Sequence, residues 1–173
     1  MSTIKKSRAA RETDRGGAAC SPHMEALKKL RIVVRAAQRH SNWIEKQCGV
    51  TGAQLWVMQE LHEAPGLRVG EVSERLAIHQ TTTSNLVDAL VKKGYVTKAR
   101  DAEDQRVVKL VLSEKGEQII RRAPTPARGL LPESLAKLSD KQLRDLNKSL
   151  QTLLDVIEKA DESFGMQPLP FTM

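Results

Sequence analysis

The stretch LRVGEVSERLAIHQTTTSNLVDALVKKGYVTKARDAEDQRVVKLVLSEKG, residues 67–116, changes its hydrophobic rhythm part-way through. In RVGEVSERLAI, Val69, Val72 and Leu76 recur at helical spacing and mark a short helix. A second helix is expected from Gln80 to Lys93, stopped by Gly94 in the left-handed conformation that closes helices. From Tyr95 to Ser113 the period falls to two: Val108, Leu110 and Leu112 alternate with Val107, Lys109 and Val111. That alternation, after a polar turn, predicts a β-hairpin.

The second helix poses a question, because Thr81, Thr82, Thr83 and Ser84 are indifferent helix formers placed together. On a helical projection Thr83, Leu86 and Leu90 share one face, with Val87 and Val91 beside them, and should pack on the domain. Thr81, Ser84, Asn85 and Asp88 fall on the opposite side. Short hydrogen-bonding side chains there suit a helix that enters the major groove, where Asn can take adenine in a bidentate pair. Gln80 and the free N–H groups of the first turn suit a phosphate. The alternative is that the hydroxyls merely tolerate a helix start, with His79 and Thr81 as caps. A short helix before and a hairpin after favour the first reading, since together they make a winged helix-turn-helix. In the hairpin, Lys98 and Arg100 would hold phosphates. Asp101, Glu103 and Asp104 should repel them, and from spacing alone this turn reads as a solvated, salt-bridged loop. A carboxylate at Asp104 that orients Arg106 toward a narrow minor groove is the other possibility.

The flanks are helical. HMEALKKLRIVVRAAQRHSNWIEKQ carries Met24, Leu27, Leu30, Val34, Ala37 and Ile44 at helical spacing, and Gly49 ends it. Thr51 and Gln54 form a capping box for a helix that stops at Pro65-Gly66. Ser113 caps a helix broken at Pro124 and Pro126. Ser139 and Gln142 open a last helix, about 140–163, with Leu143, Leu146, Leu150, Leu153, Ile157, Ala160 and Phe164 spaced alternately by three and four. That is a heptad seam, and it calls for a partner. The segment MQPLPFTM reads as a short apolar-tipped tail.

Across 173 residues, 40% hydrophobic and 28% charged content mark a globular protein, and no apolar run is long enough for a membrane span. No secretory pattern stands at the N-terminus. The net charge of +7 fits an anionic partner, yet residues 1–22 hold five basic side chains against two acidic ones and so carry +3 of it. Few bulky apolar residues occur there, so that tail reads as disordered. Two cysteines, Cys20 and Cys48, make no disulfide framework and fit a reducing cytoplasm. No phosphate loop, nucleophile elbow or His-Glu-x-x-His pair is present, so neither an enzyme nor a cofactor is indicated. His23, His40, His62 and His79 lie far apart and lack zinc-ligand spacing.

Residues 67–116 resemble the core of the MarR family of bacterial transcription regulators. The family's wing pattern, Asp-x-x-Asp-x-Arg followed by Leu-x-Leu-[Ser/Thr]-x-x-Gly, is similar to Asp101, Asp104, Arg106, Leu110, Leu112, Ser113 and Gly116. NLVDALVKKGYV is similar to the end of its recognition helix. The resemblance implies a mainly α winged helix-turn-helix protein, with a basic tail at 1–22, an N-terminal dimerisation helix at 23–50 and a DNA-binding region at 51–116. C-terminal dimerisation helices follow at 117–165 and a tail at 166–173. It further implies a homodimer, expected to be a repressor, on a pseudo-palindromic operator in double-stranded DNA. His79, Gln80, Thr81, Thr82, Ser84, Asn85, Lys98, Arg100, Asp104 and Arg106 are then its DNA contacts. Leu27, Leu30, Val34, Leu143, Leu146, Leu150, Leu153 and Ile157 are its dimer contacts.

The family's usual effector is a small aromatic or phenolic molecule held between the dimerisation helices and the reading head. Arg39, His40, Trp43 and Trp56 are the candidates for that pocket, with Trp43 preferred and Trp56 read as core. One departure is the proline break, where the family has a long unbroken helix. Some family members sense peroxides through a cysteine early in the first helix, a position that neither Cys20 nor Cys48 occupies. Inert thiols are therefore expected, and the alternatives are a cysteine redox-sensing regulator and a winged helix that binds protein instead of DNA.

Overall fold

The computed structural model describes residues 21–100 and 104–173, and the chain divides between Val33 and Val34 into two compact units. The expectations for Cys20, for the basic tail before Ser21, and for Asp101 and Glu103 lie outside the described residues.

Helix α1, Pro22–Cys48, starts within the first unit with a proline at its first position, where a missing N–H costs nothing. Here Met24, Leu27 and Leu30 are exposed. In the second unit α1 buries Ala37, Ser41, Ile44 and Cys48, a stripe at helical spacing, and stops where Gly49 takes φ +67°.

Helix α2, Gly52–Glu63, opens with the expected capping box: Thr51 accepts from the Gln54 N–H and Gln54 accepts from the Thr51 N–H. Leu55, Val57, Met58 and Leu61 are buried on several sides of it, which makes α2 the central element. It packs against α3 (Val69–Leu76), α4 (Gln80–Lys92), α5 (Glu114–Arg122) and the second strand of the hairpin.

Helix α3 ends at Ala77 in the left-handed region, φ 52°, a conformation that costs a side-chain-bearing residue about 1–2 kcal/mol. The reversal aims the chain into α4 within three residues. Helix α4 buries Thr83, Leu86, Val87 and Leu90, and Gly94 closes it at φ +74°.

Strands β1, Val96–Arg100, and β2, Val108–Leu112, pair antiparallel with Lys98 opposite Leu110. The other edge of β2 is held too: the Gly66 N–H donates to the Leu110 carbonyl and the Leu110 N–H to the Leu67 carbonyl, each at 2.9 Å. Leu110 and Leu112 enter the core, each such side chain contributing about 1.5–3 kcal/mol.

Ser113 caps α5 by accepting from the Gly116 N–H. Gly116 is required for packing, because a Cβ there would fall on the Tyr95 carbonyl oxygen. The proline break is real: α5 stops at Arg122, α6 covers only Leu130–Ala136, and α7 runs Asp140–Val156 from the Ser139–Gln142 capping box.

The last helix is shorter than its apolar spacing suggests. Ile157 is its extended C-cap, Lys159 is left-handed (φ 63°), and Ala160 and Phe164 lie beyond the helix. Leu143, Leu146, Leu150 and Leu153 remain on it, the first two half-buried and the last two exposed. Residues 162–166 and 170–172 form single 3-10 turns that lie against the cavity described next.

Candidate nucleic-acid interface and the adjoining cavity

The sequence of α4 divides as its projection requires. Thr83 is fully buried and its hydroxyl donates back to the His79 carbonyl, while Gln80, Thr81, Asn85 and Asp88 are exposed and Thr82 and Ser84 half-buried. His79 occupies the N-cap position, but its side chain makes no cap; its backbone N–H instead donates to the Met166 carbonyl at 2.9 Å. Capping needs a short side chain with an acceptor near its own backbone, and an imidazole is too long for the N2 and N3 amides.

In the hairpin, Lys98 Nζ lies 2.7 Å from Asp88 Oδ1 on α4, and this bond holds the Asp88 carboxyl below the usual aspartate range. Hairpin and α4 are thereby tied by a surface ion pair. Arg100 is exposed. The Arg106 backbone N–H donates to Asp104 Oδ1 at 2.9 Å, so that carboxylate shapes the turn backbone from which Arg106 springs. Arg106 and Gln80 line one cleft of about 450 Å³ together with Arg68, Glu71 and Val108, which brings the wing beside the start of α4.

Behind this surface lies a second cavity of about 470 Å³. Its walls come from α1 (Ala37, His40, Ser41, Ile44), α2 (Gly52, Ala53, Trp56), the end of α3, the Arg128–Leu135 segment and the C-terminal residues 164–172. His40 and Trp56 are therefore on the wall, and Arg39 and Trp43 are not. Trp56 packs against the core, as expected, and also lines the cavity, whereas the preferred Trp43 does not. Trp43 is 48% exposed and stacks edge-on against His40, whereas Trp56 presents its ring to the cavity and its Nε1 donates to Glu60 at 3.0 Å. The His40 Nε2 to Pro126 carbonyl contact, 3.0 Å, requires the imidazole to donate from that nitrogen.

Sequence reasoning passed over Glu60 and Arg128. Glu60 is only 4% exposed and accepts from Trp56, from Arg75 Nη1 (3.3 Å) and from Arg128 Nε (2.7 Å). Arg128 also donates to Glu63 and lies 3.8 Å from Glu133. The Gln59 amide first, and Arg128 after it, hold the Glu63 carboxyl below the ordinary range. No periodicity links residues 60 and 128; an isolated Arg between two prolines and a glycine was the available hint.

Cys48 is buried, and burial pushes its thiol up while the Arg122 charge pulls weakly the other way. A thiol so placed is a poor nucleophile. Among the described residues no helix is long and apolar enough to cross a membrane.

A family model for the MarR family matches residues 49–107. A MarR family protein from Bacillus stearothermophilus is 30% identical, with a TM-score of 0.50 over 75% of this chain and 90% of that one. The chain belongs to the MarR family. A second likeness, at 29% identity, is to the HTH-type transcriptional regulator YsmB of Bacillus subtilis, covering 73% of this chain and 86% of YsmB. Streptococcus pneumoniae FabT, solved in complex with DNA, shares the fold at 20% identity, with a TM-score of 0.53 over 77% of this chain and 95% of its own. This MarR protein is a transcriptional regulator with a DNA-binding winged helix, and it is not an enzyme.

Proposed function

We propose that the protein acts in the cytoplasm as a homodimeric repressor that binds a pseudo-palindromic operator and is released by a small-molecule effector. The observation that carries the reading is the split face of α4: Thr83, Leu86, Val87 and Leu90 are buried, and Thr81, Asn85 and Gln80 are left to solvent. Thr81, Thr82, Ser84 and Asn85 read bases or seat the helix, with Asn85 the adenine reader. Gln80, Lys98 and Arg100 hold phosphates, and His79 approaches the DNA backbone. Arg106 enters the minor groove from the turn that Asp104 shapes.

Two apolar stripes support a homodimer. Leu27, Leu30 and Val34 on α1 are exposed, and so are Leu150 and Leu153 on α7 with Ile157 just past its end. Leu143 and Leu146 continue the second stripe as half-buried residues. Such surfaces are covered by a partner in stable proteins. The cavity of about 470 Å³ falls within the size of small-molecule sites, roughly 300–1,000 Å³, which supports an effector. His40 and Trp56 are its contacts; Trp43 acts by packing on His40, and Arg39 stands outside the wall.

The test is selection of fragmented genomic DNA on the purified protein across a salt series, with sedimentation to give the mass of the free and bound protein. The expected result is a few palindromic fragments surviving near physiological salt, bound by two copies. Fragments that all bind weakly and wash off together would leave a winged helix that recognises protein instead.

A further inference from the structure

Two features of the 470 Å³ cavity bear on what it holds and how that is sensed. The first is the state of its polar groups. Among the described residues no Asp or Glu lies on the wall, and Arg128 is its one Lys or Arg. That guanidinium is already matched by Glu60, Glu63 and Glu133. Ser41 Oγ donates to the Phe171 carbonyl at 2.7 Å, Thr172 Oγ1 to the Leu169 carbonyl at 2.7 Å, and Trp56 Nε1 to Glu60. His40 is turned to the Pro126 carbonyl. The remainder is Ala, Ile, Leu, Pro, Phe and Gly, apart from an exposed Gln167. An ion placed here would lose its water and find no unpaired counter-charge, which is strongly unfavourable.

The second feature is the C-terminal segment. Phe164, Gly165, Gln167, Pro168, Leu169 and Phe171 form one wall, and that wall is fastened at both ends. At one end Ser41 of α1 holds the Phe171 carbonyl, and Thr172 sits where a Cβ on Gly52 would come within 3.5 Å of it. At the other end the Met166 carbonyl accepts from the His79 N–H, the residue that starts the reading helix.

We propose that the cavity takes an uncharged lipophilic molecule, and that residues 164–172 are a latch that reports its presence to α4 through the Met166–His79 bond. This rests on the reading of the cavity as the effector site. A ligand that fills the cavity presses on its least buried wall, because α2 is packed on several sides and the exposed latch is held by few bonds. Shifting the latch then draws on the first residue of α4, and the helix start is where the base-reading side chains lie.

The experiment uses the full-length protein and Nile red, a neutral dye, with 1-decanol and decanoate as competitors of equal chain length. The dye should bind saturably, and Leu131→Trp, which fills the cavity from a half-buried wall position, should weaken it about fivefold or more. Decanol should displace the dye at a concentration about tenfold lower than decanoate. In parallel, amide hydrogen exchange is read at His79 with and without decanol; exchange should quicken about tenfold on binding, and Ser41→Ala should give part of that increase without ligand. Failure of the dye to bind saturably, or binding indifferent to Leu131→Trp, overturns the effector reading itself. Decanoate competing as well as decanol overturns the ligand class alone. Saturable binding with His79 exchange unchanged overturns the latch alone.

Discussion

Glu60 is the residue whose removal should be felt most widely for a single polar change. It joins α2 to α3 through Arg75, to the proline-bounded linker through Arg128, and to the cavity wall through Trp56. In Glu60→Ala the half-buried Trp56 Nε1 loses its acceptor, a penalty of about 1–3 kcal/mol. The lost methylene packing adds about 1 kcal/mol. Arg75 and Arg128 are 43% and 32% exposed, so both recover water and their released charges add little. The total is about 2–4 kcal/mol, which for a domain of this size lowers Tm by roughly 5–15 °C. Glu60→Gln keeps one acceptor oxygen for Trp56 and should lose about half as much. Urea unfolding at one fixed protein concentration measures both, since association would add a concentration term. A loss under about 0.5 kcal/mol for Glu60→Ala, or equal losses for the two variants, would refute the hub, because the buried acceptor could not then be what Trp56 depends on.

Gly116→Ala should cost about 1–3 kcal/mol, because its new methyl meets the Tyr95 carbonyl and must move either α5 or β1; an unshifted melting curve would contradict this packing. Arg106→Ala should weaken DNA at every site and lower the slope of log affinity against log salt by about one, a change read by titration at several salt concentrations. Asn85→Ala should relax the preference at one operator position by about 1–3 kcal/mol; selection of the same base by the variant would exclude the contact. Asp88→Asn removes a carboxylate from the reading face and frees Lys98, so binding to unrelated duplex DNA should tighten at low salt, and weaker binding would count against Lys98 as a phosphate contact.

The reading region was legible because its signals are local. The Thr51–Gln54 and Ser139–Gln142 capping boxes act over three residues, and Gly49 and Gly94 supply left-handed backbone wherever they stand. The alternation at Leu110 and Leu112 has one solution, since a slip of one residue would put both into water. The phase of α2 was harder to read, as a helix buried on several sides carries no polar face to orient it. That is why Trp56 was read as core alone: it packs against the core and also lines the cavity. The end of α7 was missed for another reason. Its apolar spacing continues past Val156, yet spacing is indifferent to whether a helix or a long-range contact uses the side chain. Phe164 goes to the cavity wall. Glu60 with Arg128, and Ser41 with Phe171, are pairs separated by most of the chain and leave no pattern along it.

The bonds from Gly66 and Leu67 to Leu110 fix the hairpin to the residue pair just before the N-cap of α3. Ladder on one side and brace on the other hold β2 against the helices it follows. On the proposed DNA reading, the spacing between the α4 contacts and the wing contact would then be set within each copy. A half-site longer or shorter by a base pair could not be met by bending the protein. If two copies bind a two-part operator as proposed, its latitude would lie in the distance between the halves, which the surfaces joining the copies would set.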